Sequence, residues 1–210
     1  ELLEGPKIGF KIPEVLTVEE IDRIISAVDM DKKEGQRNRA ILETLYSCGL
    51  RVSELCNLKL SDLYFEEGFI KVEGKGSKQR LVPISPRAIK EIKYWLTDRN
   101  LGKIKKGYED YVFLARWGNN ISRIMVFHMI KELAEKTGIT KNISPHTFRH
   151  SFATHLLEGG ANLRAIQCML GHESIATTEI YTHIDRNMLR SEIIEHHPRN
   201  IKYRKERGIY

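Results

Sequence analysis

Apolar positions three and four apart mark most of this chain as helical. Ile41, Leu42 and Leu45 fall on one face of a helix predicted from about Gln36 to Cys48, which Gly49 ends. Phe148, Phe152 and Leu156 recur every four residues and form the core face of a helix from Pro145 to Glu158. Met188, Leu189, Ile193 and Ile194 make a further apolar stripe between Arg186 and His196. Other helices are predicted from Thr17 to about Asp29, where Thr17 and Glu20 spell a capping box. The rest lie at about 52–58, 86–97, 121–137 and 163–170, with a short piece around Tyr181.

The period changes to two in only one region. Phe69-Ile-Lys-Val and Arg80-Leu-Val-Pro-Ile alternate on either side of Gly74-Lys75-Gly76-Ser77-Lys78, which predicts a β-hairpin with a glycine-flanked tip. A short strand is expected from Tyr111 to Leu114. The fold class is therefore mainly α with a small antiparallel β-sheet, an α+β fold.

Residues 1–16 carry Gly5, Pro6, Gly9 and Pro13 without periodicity and read as an interdomain linker. The domain proper is expected over 17–198, and 199–210 reads as a basic tail with a solvated, disordered end. Because the chain opens on Glu1, it reads as a fragment.

Composition narrows the class. With 41% apolar and 30% charged residues the chain has an ordinary globular mix. Its apolar runs fall far short of the roughly 18 residues that span a bilayer, so no membrane partner is expected. Cys48, Cys56 and Cys168 form no C-x-x-C pair and read as reduced core residues of a cytoplasmic protein. The net charge of +6 invites a nucleic-acid reading, but the last twelve residues alone supply +4 through Arg199, Lys202, Arg204, Lys205 and Arg207 against Glu206. Local clusters must therefore carry the case.

Singly, each polar candidate has an ordinary explanation. Ser144, Pro145 and His146 start a helix. His146 and His150 are spaced like metal ligands, but position 147 is Thr147 where a zinc-protease motif has glutamate, so no metal is expected. Arg51 suits a solvated charge, Lys75 a turn, His172 a helix end after Gly171, and Tyr181 a packing position.

Their order along the chain changes that. The segments Gly49-Leu-Arg51-Val-Ser-Glu54-Leu, Gly74-Lys75-Gly-Ser-Lys78, His146-Thr-Phe-Arg149-His150 and Leu170-Gly-His172, then Tyr181 nine residues on, resemble the tyrosine recombinase signature. The resemblance runs from about Lys11 to Pro198. It is closest to the Xer-type branch, through "SPHTFRHSFATHLLEGGANLRAIQCMLGH", "IATTEIYTH" and "HHPR".

The resemblance implies a site-specific DNA recombinase acting through a 3′-phosphotyrosyl intermediate, with chromosome dimer resolution as its role. An integrase of a mobile element and a type IB topoisomerase-like enzyme are the alternatives. It implies Tyr181 as nucleophile, His146 as general base, and Arg51, Arg149 and His172 on the phosphate. Lys75 becomes the acid for the leaving 5′ oxygen, and Lys78 and Arg80 contact backbone phosphates. Glu54 is expected to orient a neighbour, without a catalytic role. No cofactor, metal or ATP is called for. The partners would be a double-stranded recombination site and a second recombinase subunit, identical or related, in a tetramer on paired sites. The apolar stripe before His196 either packs on its own domain or, as the resemblance implies, docks on the neighbouring subunit. The family's N-terminal core-binding domain is absent from this chain.

Overall fold

The computed structural model describes residues 14–171 and 183–208. Thr17 opens α1 (Val18–Ser26) as expected: its hydroxyl accepts from Glu20 N at 3.1 Å, and the Glu20 carboxylate accepts from Thr17 N at 3.0 Å. Helix α2 (Gly35–Cys48) is the structural centre, buried continuously from Ala40 to Cys48. It carries more than the apolar face the pattern gave, because α4 (Pro86–Leu101) and α6 (Pro145–Glu158) pack on different sides of it. The buried polar groups this creates are satisfied locally. Ser47 Oγ donates to Ser85 Oγ and accepts from Ser85 N, both at 2.9 Å, and Ser85 in turn caps α4.

Between these helices lie α3 (Val52–Cys56) and a three-stranded antiparallel sheet, β1 (Leu63–Tyr64), β2 (Phe69–Glu73) and β3 (Gln79–Pro83), in the order β1-β2-β3. The predicted hairpin is β2–β3, in the register Ile70↔Val82 and Val72↔Arg80. Strand β1 is too short to show a period in sequence. The strand expected at Tyr111–Leu114 does not form; Tyr111 and Leu114 make only isolated bridges. Side chains of α4 take its carbonyls instead: Trp95 Nε1 donates to Val112 O at 2.8 Å and Arg99 Nε to Tyr111 O at 2.9 Å.

Helices α5 (Arg123–Thr137), α7 (Leu163–Leu170), α8 (His183–His196) and α9 (Pro198–Glu206) complete the α-helices among the described residues. Half of the α8 stripe is used within this chain: Leu189 and Ile193 are buried against β3, α6 and α7, while Met188 and Ile194 stay exposed. Helix α9 corrects the expectation of a disordered tail after Pro198. His197, Arg199 and Asn200 are all buried, and Arg199 pairs with Asp22 and with Glu43. Among the described residues, no helix is long and apolar enough to cross a membrane.

His197 makes the α8–α9 junction sensitive to acid. Its Nδ1 accepts from Arg199 N at 3.2 Å, so the neutral ring carries its proton on Nε2, 3.0 Å from Tyr46 O. Burial pushes its pKa down to about 4, and His155 is lowered by the same cause. A histidine depressed on folding binds its proton only in the unfolded chain. Its contribution is therefore present above pH ~6.5 and lost as pH falls towards ~4, by about 3 kcal/mol at most. Urea unfolding between pH 7 and 4.5 should show this loss, and His197→Gln should flatten the slope by about one proton. An unchanged slope in that variant would show that the ring does not titrate with unfolding.

Candidate active site

Arginines from separate elements converge on a single buried carboxylate. Gly49 caps α2 with φ +64°, and a Cβ there would fall 2.4 Å from the Phe152 ring. That close turn against α6 delivers Arg51 to the start of α3. Glu54, 4% exposed, reaches back one turn so that its Oε1 accepts from Arg51 N at 3.0 Å and lies 3.5 Å from Arg51 Nη1. The same oxygen is 3.9 Å from Arg149 Nη1, and Oε2 is bonded to Arg80 Nη1.

Arg149 points inward from the first turns of α6. Its Nη1 donates to Gly49 O at 2.8 Å and its Nη2 to Leu170 O at 2.7 Å. These carbonyls lie at the C-terminal ends of α2 and α7, where helix acceptors lack partners of their own. One guanidinium thus joins three elements and keeps further N–H groups for a ligand. Burial, then the neighbouring Arg51, pushes its pKa down to about 10, and it remains cationic at neutral pH. Three arginine charges against one carboxylate leave a local positive excess, an arrangement suited to an anion.

Lys75 and Lys78 are exposed on the hairpin tip, where Lys75–Ser77 form a single tight turn with Gly76 at φ +71°. A cavity of about 600 Å³ opens between α3 and β2, lined among others by Arg51, Ser53, Asn57, Glu73 and Lys75. The structure therefore brings Lys75 and Arg51 to one cavity. His146 is exposed in the first turn of α6. His172 and Tyr181 lie outside the described residues. Among the described residues, no cluster of His, Cys, Asp and Glu is arranged to hold a metal.

Arg80 departs from its expected place. Read as a surface contact to backbone phosphate, it is instead 7% exposed, with Nη1 on Glu54 and Nε donating to Met169 O at 2.8 Å. The alternation held the signal: Arg80 shares a strand face with Val82, two residues on, and opposes Val72. Both valines are core residues. Glu54 as the hub was half visible, since a glutamate three residues after the residue preceding a helix is a familiar N-terminal pattern. That Arg80 and Arg149 share it was not.

Comparison with known proteins follows the same outline. A model of the phage integrase family matches residues 14–188. The tyrosine recombinase XerD of Staphylococcus saprophyticus is 44% identical over 198 residues, covering 94% of this chain and 67% of the relative. The XerD of Staphylococcus aureus is 42% identical over the same span. Among solved structures, a XerA recombinase superposes with TM-score 0.70 at 35% identity, covering 90% of this chain and 66% of that one. A XerH site-specific recombinase bound to its difH substrate superposes with TM-score 0.70 at 30% identity, covering 88% and 54%. The chain thus spans less than two thirds of these solved relatives.

Proposed function

The chain belongs to the phage integrase family, and on that premise we propose that it is the catalytic domain of a site-specific tyrosine recombinase that cleaves and rejoins DNA. The observation that carries this reading is the cluster of Arg51, Arg80 and Arg149 around the buried Glu54. A phosphodiester under attack gains negative charge on its non-bridging oxygens, and fixed guanidinium groups stabilise it without a metal. Arg51 and Arg149 supply that charge, and His172 adds a hydrogen bond.

The Tyr181 oxygen attacks phosphorus and the bond to the 5′ oxygen breaks, leaving a 3′-phosphotyrosine and a free 5′ hydroxyl. A phenol has a pKa of about 10 and needs a base near neutral pH, the role of His146. The departing oxygen takes its proton from Lys75, and Lys78 holds a neighbouring backbone phosphate. One phosphodiester replaces another, so no ATP is consumed. Attack by a partner strand's 5′ hydroxyl on the phosphotyrosine completes the exchange. The partners are a double-stranded site and a second recombinase subunit, in a tetramer on paired sites. The exposed Met188 and Ile194 of α8 are the part of its stripe free to meet a neighbour.

Similarity to XerD proteins favours chromosome dimer resolution as the role. A mobile-element integrase is the second reading, supported by a transposon integrase that superposes at 27% identity with TM-score 0.68. Mixing two differently labelled duplexes with full-length protein tests the reaction class. Hybrid strands are expected, whereas relaxation of supercoils without hybrids would identify a topoisomerase.

The lysine assignment makes its own prediction. Lys75→Ala should slow cleavage by about 10²–10⁴-fold, the range for a lost general acid. A 5′-thio leaving group, which departs without a proton, should restore the rate in that variant and not in Arg51→Ala. Rescue of Lys78→Ala instead would move the acid along the tip to Lys78.

A further inference from the structure

We infer that Arg80 is a positioning residue for strand cleavage: it occupies one oxygen of Glu54, so that Arg51 stays available to phosphate, and it fixes the lysine hairpin against the end of α7. The inference rests on the recombinase reading above and adds to it a residue that never meets DNA.

The geometry separates Arg80 from the other two arginines. Its Nη1 bonds directly to Glu54 Oε2 and its Nε to Met169 O, while Nη2 is buried without a partner among the described residues. Its Nε and Nη1 are thus committed to partners within the chain. Glu54 Oε1, by contrast, lies at 3.5 Å and 3.9 Å from the nearest guanidinium nitrogens of Arg51 and Arg149, a loose pairing of side chains. The Arg51 side chain is 42% exposed. The carboxylate therefore binds one arginine tightly and leaves the exposed one able to turn to a ligand.

If Arg80 were absent, the buried Glu54 charge would need new compensation, and Arg51 and Arg149 are the cations within reach. A buried carboxylate without its partner is strongly unfavourable. Glu54 would then draw Arg51 inward and away from phosphate.

The second function follows from where Arg80 sits in the chain. It leaves the hairpin through β3, five residues after Lys75. Its guanidinium lies in a slot between two glycines. A Cβ at Gly171, where φ is +70°, would meet Arg80 Cδ and Nη1 at 3.1 Å, and one at Gly74 would lie 3.4 Å from Nη1. Gly74 directly precedes Lys75. The base of the tip is thus registered against α7 and α3 together. Arginine suits this because its planar fork sends Nε and Nη1 to acceptors in different directions, which one lysine ammonium on a flexible stem does poorly.

The test uses full-length protein on a nicked half-site that traps the covalent product, with half-site affinity and single-turnover cleavage measured separately. Arg80→Met should bind within about 2-fold of wild type and cleave at least about 10-fold more slowly, the mark of an interaction lost in the chemical step. Adding Glu54→Gln to Arg80→Met removes the uncompensated charge and should recover at least about 3-fold of the lost rate, a coupling expected of residues in direct contact. Arg80→Lys keeps the charge, should remain folded, and should fall between wild type and Arg80→Met. A variant that binds weakly but cleaves at the wild-type rate once saturated would make Arg80 a phosphate contact and overturn the proposal. So would a double variant that recovers nothing, or, should Arg80→Met not fold, an Arg80→Lys protein that cleaves at the full rate. A wild type that forms no adduct would sink the recombinase reading and this inference with it; a cleaving wild type matched by Arg80→Met sinks this inference alone.

Discussion

Tyr181→Phe in the full-length protein is expected to abolish the covalent protein–DNA product on a nicked half-site while leaving folding and half-site binding intact. The substitution removes one oxygen and keeps the ring. The proposed nucleophile, however, is gone, and no solvent group stands in for it in forming a protein–DNA bond. Removal of a catalytic nucleophile lowers rates by several orders of magnitude, and a fall of at least about 10³-fold is expected here. A denaturing gel reads the result directly. An adduct that persists in Tyr181→Phe places the nucleophile elsewhere and ends the mechanism proposed above. Loss of binding together with the adduct would show instead that the phenol has a structural role.

The second large effect concerns stability and comes from the segment that the charge pattern marked as a solvated tail. Arg199 is 2% exposed. Its Nη1 pairs with Asp22, its Nη2 lies 3.3 Å from Glu43 Oε1, and its guanidinium carbon sits 5.5 Å from the centre of the Tyr46 ring. Glu43 is fully buried at the middle of α2, and burial holds its pKa above the ordinary carboxylate range. Arg199→Met leaves that carboxylate with Arg87 Nε at 3.1 Å, a side chain 31% exposed. Removing one partner of a buried pair costs about 3–5 kcal/mol, which for a domain of this size lowers the melting temperature by roughly 10 °C. Urea unfolding at pH 7 measures it. A change below about 1 kcal/mol, the level of an exposed pair, would mean that α9 does not hold the fold. Arg199→Met with Glu43→Gln should recover much of the loss, because no buried charge is then left unpaired.

Most of the fold was legible because its rules are local. The capping box at Thr17, the four-residue spacing of Phe148, Phe152 and Leu156, and the alternation around Gly74–Lys78 each depend on neighbours within a few residues. They fixed α1, α6 and the β2–β3 hairpin. The candidate site was reached differently, through resemblance to the tyrosine recombinase signature. Arg51, Lys75, His146, Arg149, His172 and Tyr181 were selected by residue type and order, without knowledge of which elements meet.

What the tertiary structure decided depends on contacts distant in sequence. Arg80 and Lys78 are both cations at one hairpin, and composition treats them alike; alternation puts Arg80 on the face of Val82, and the packing of β3 on α7 buries it there while Lys78, before the strand, stays in solvent. Glu54 is a one-turn neighbour of Arg51 in sequence, but its pairing with Arg80 and Arg149 spans 26 and 95 positions of chain. Arg199 looked like part of a basic tail because charge suggests solvent, and its acid partners, Asp22 and Glu43, lie far back in α1 and α2. Charge in sequence gives a side chain's preference for water or for a partner. Which of the two it obtains is settled only when folding brings an acceptor to it or fails to.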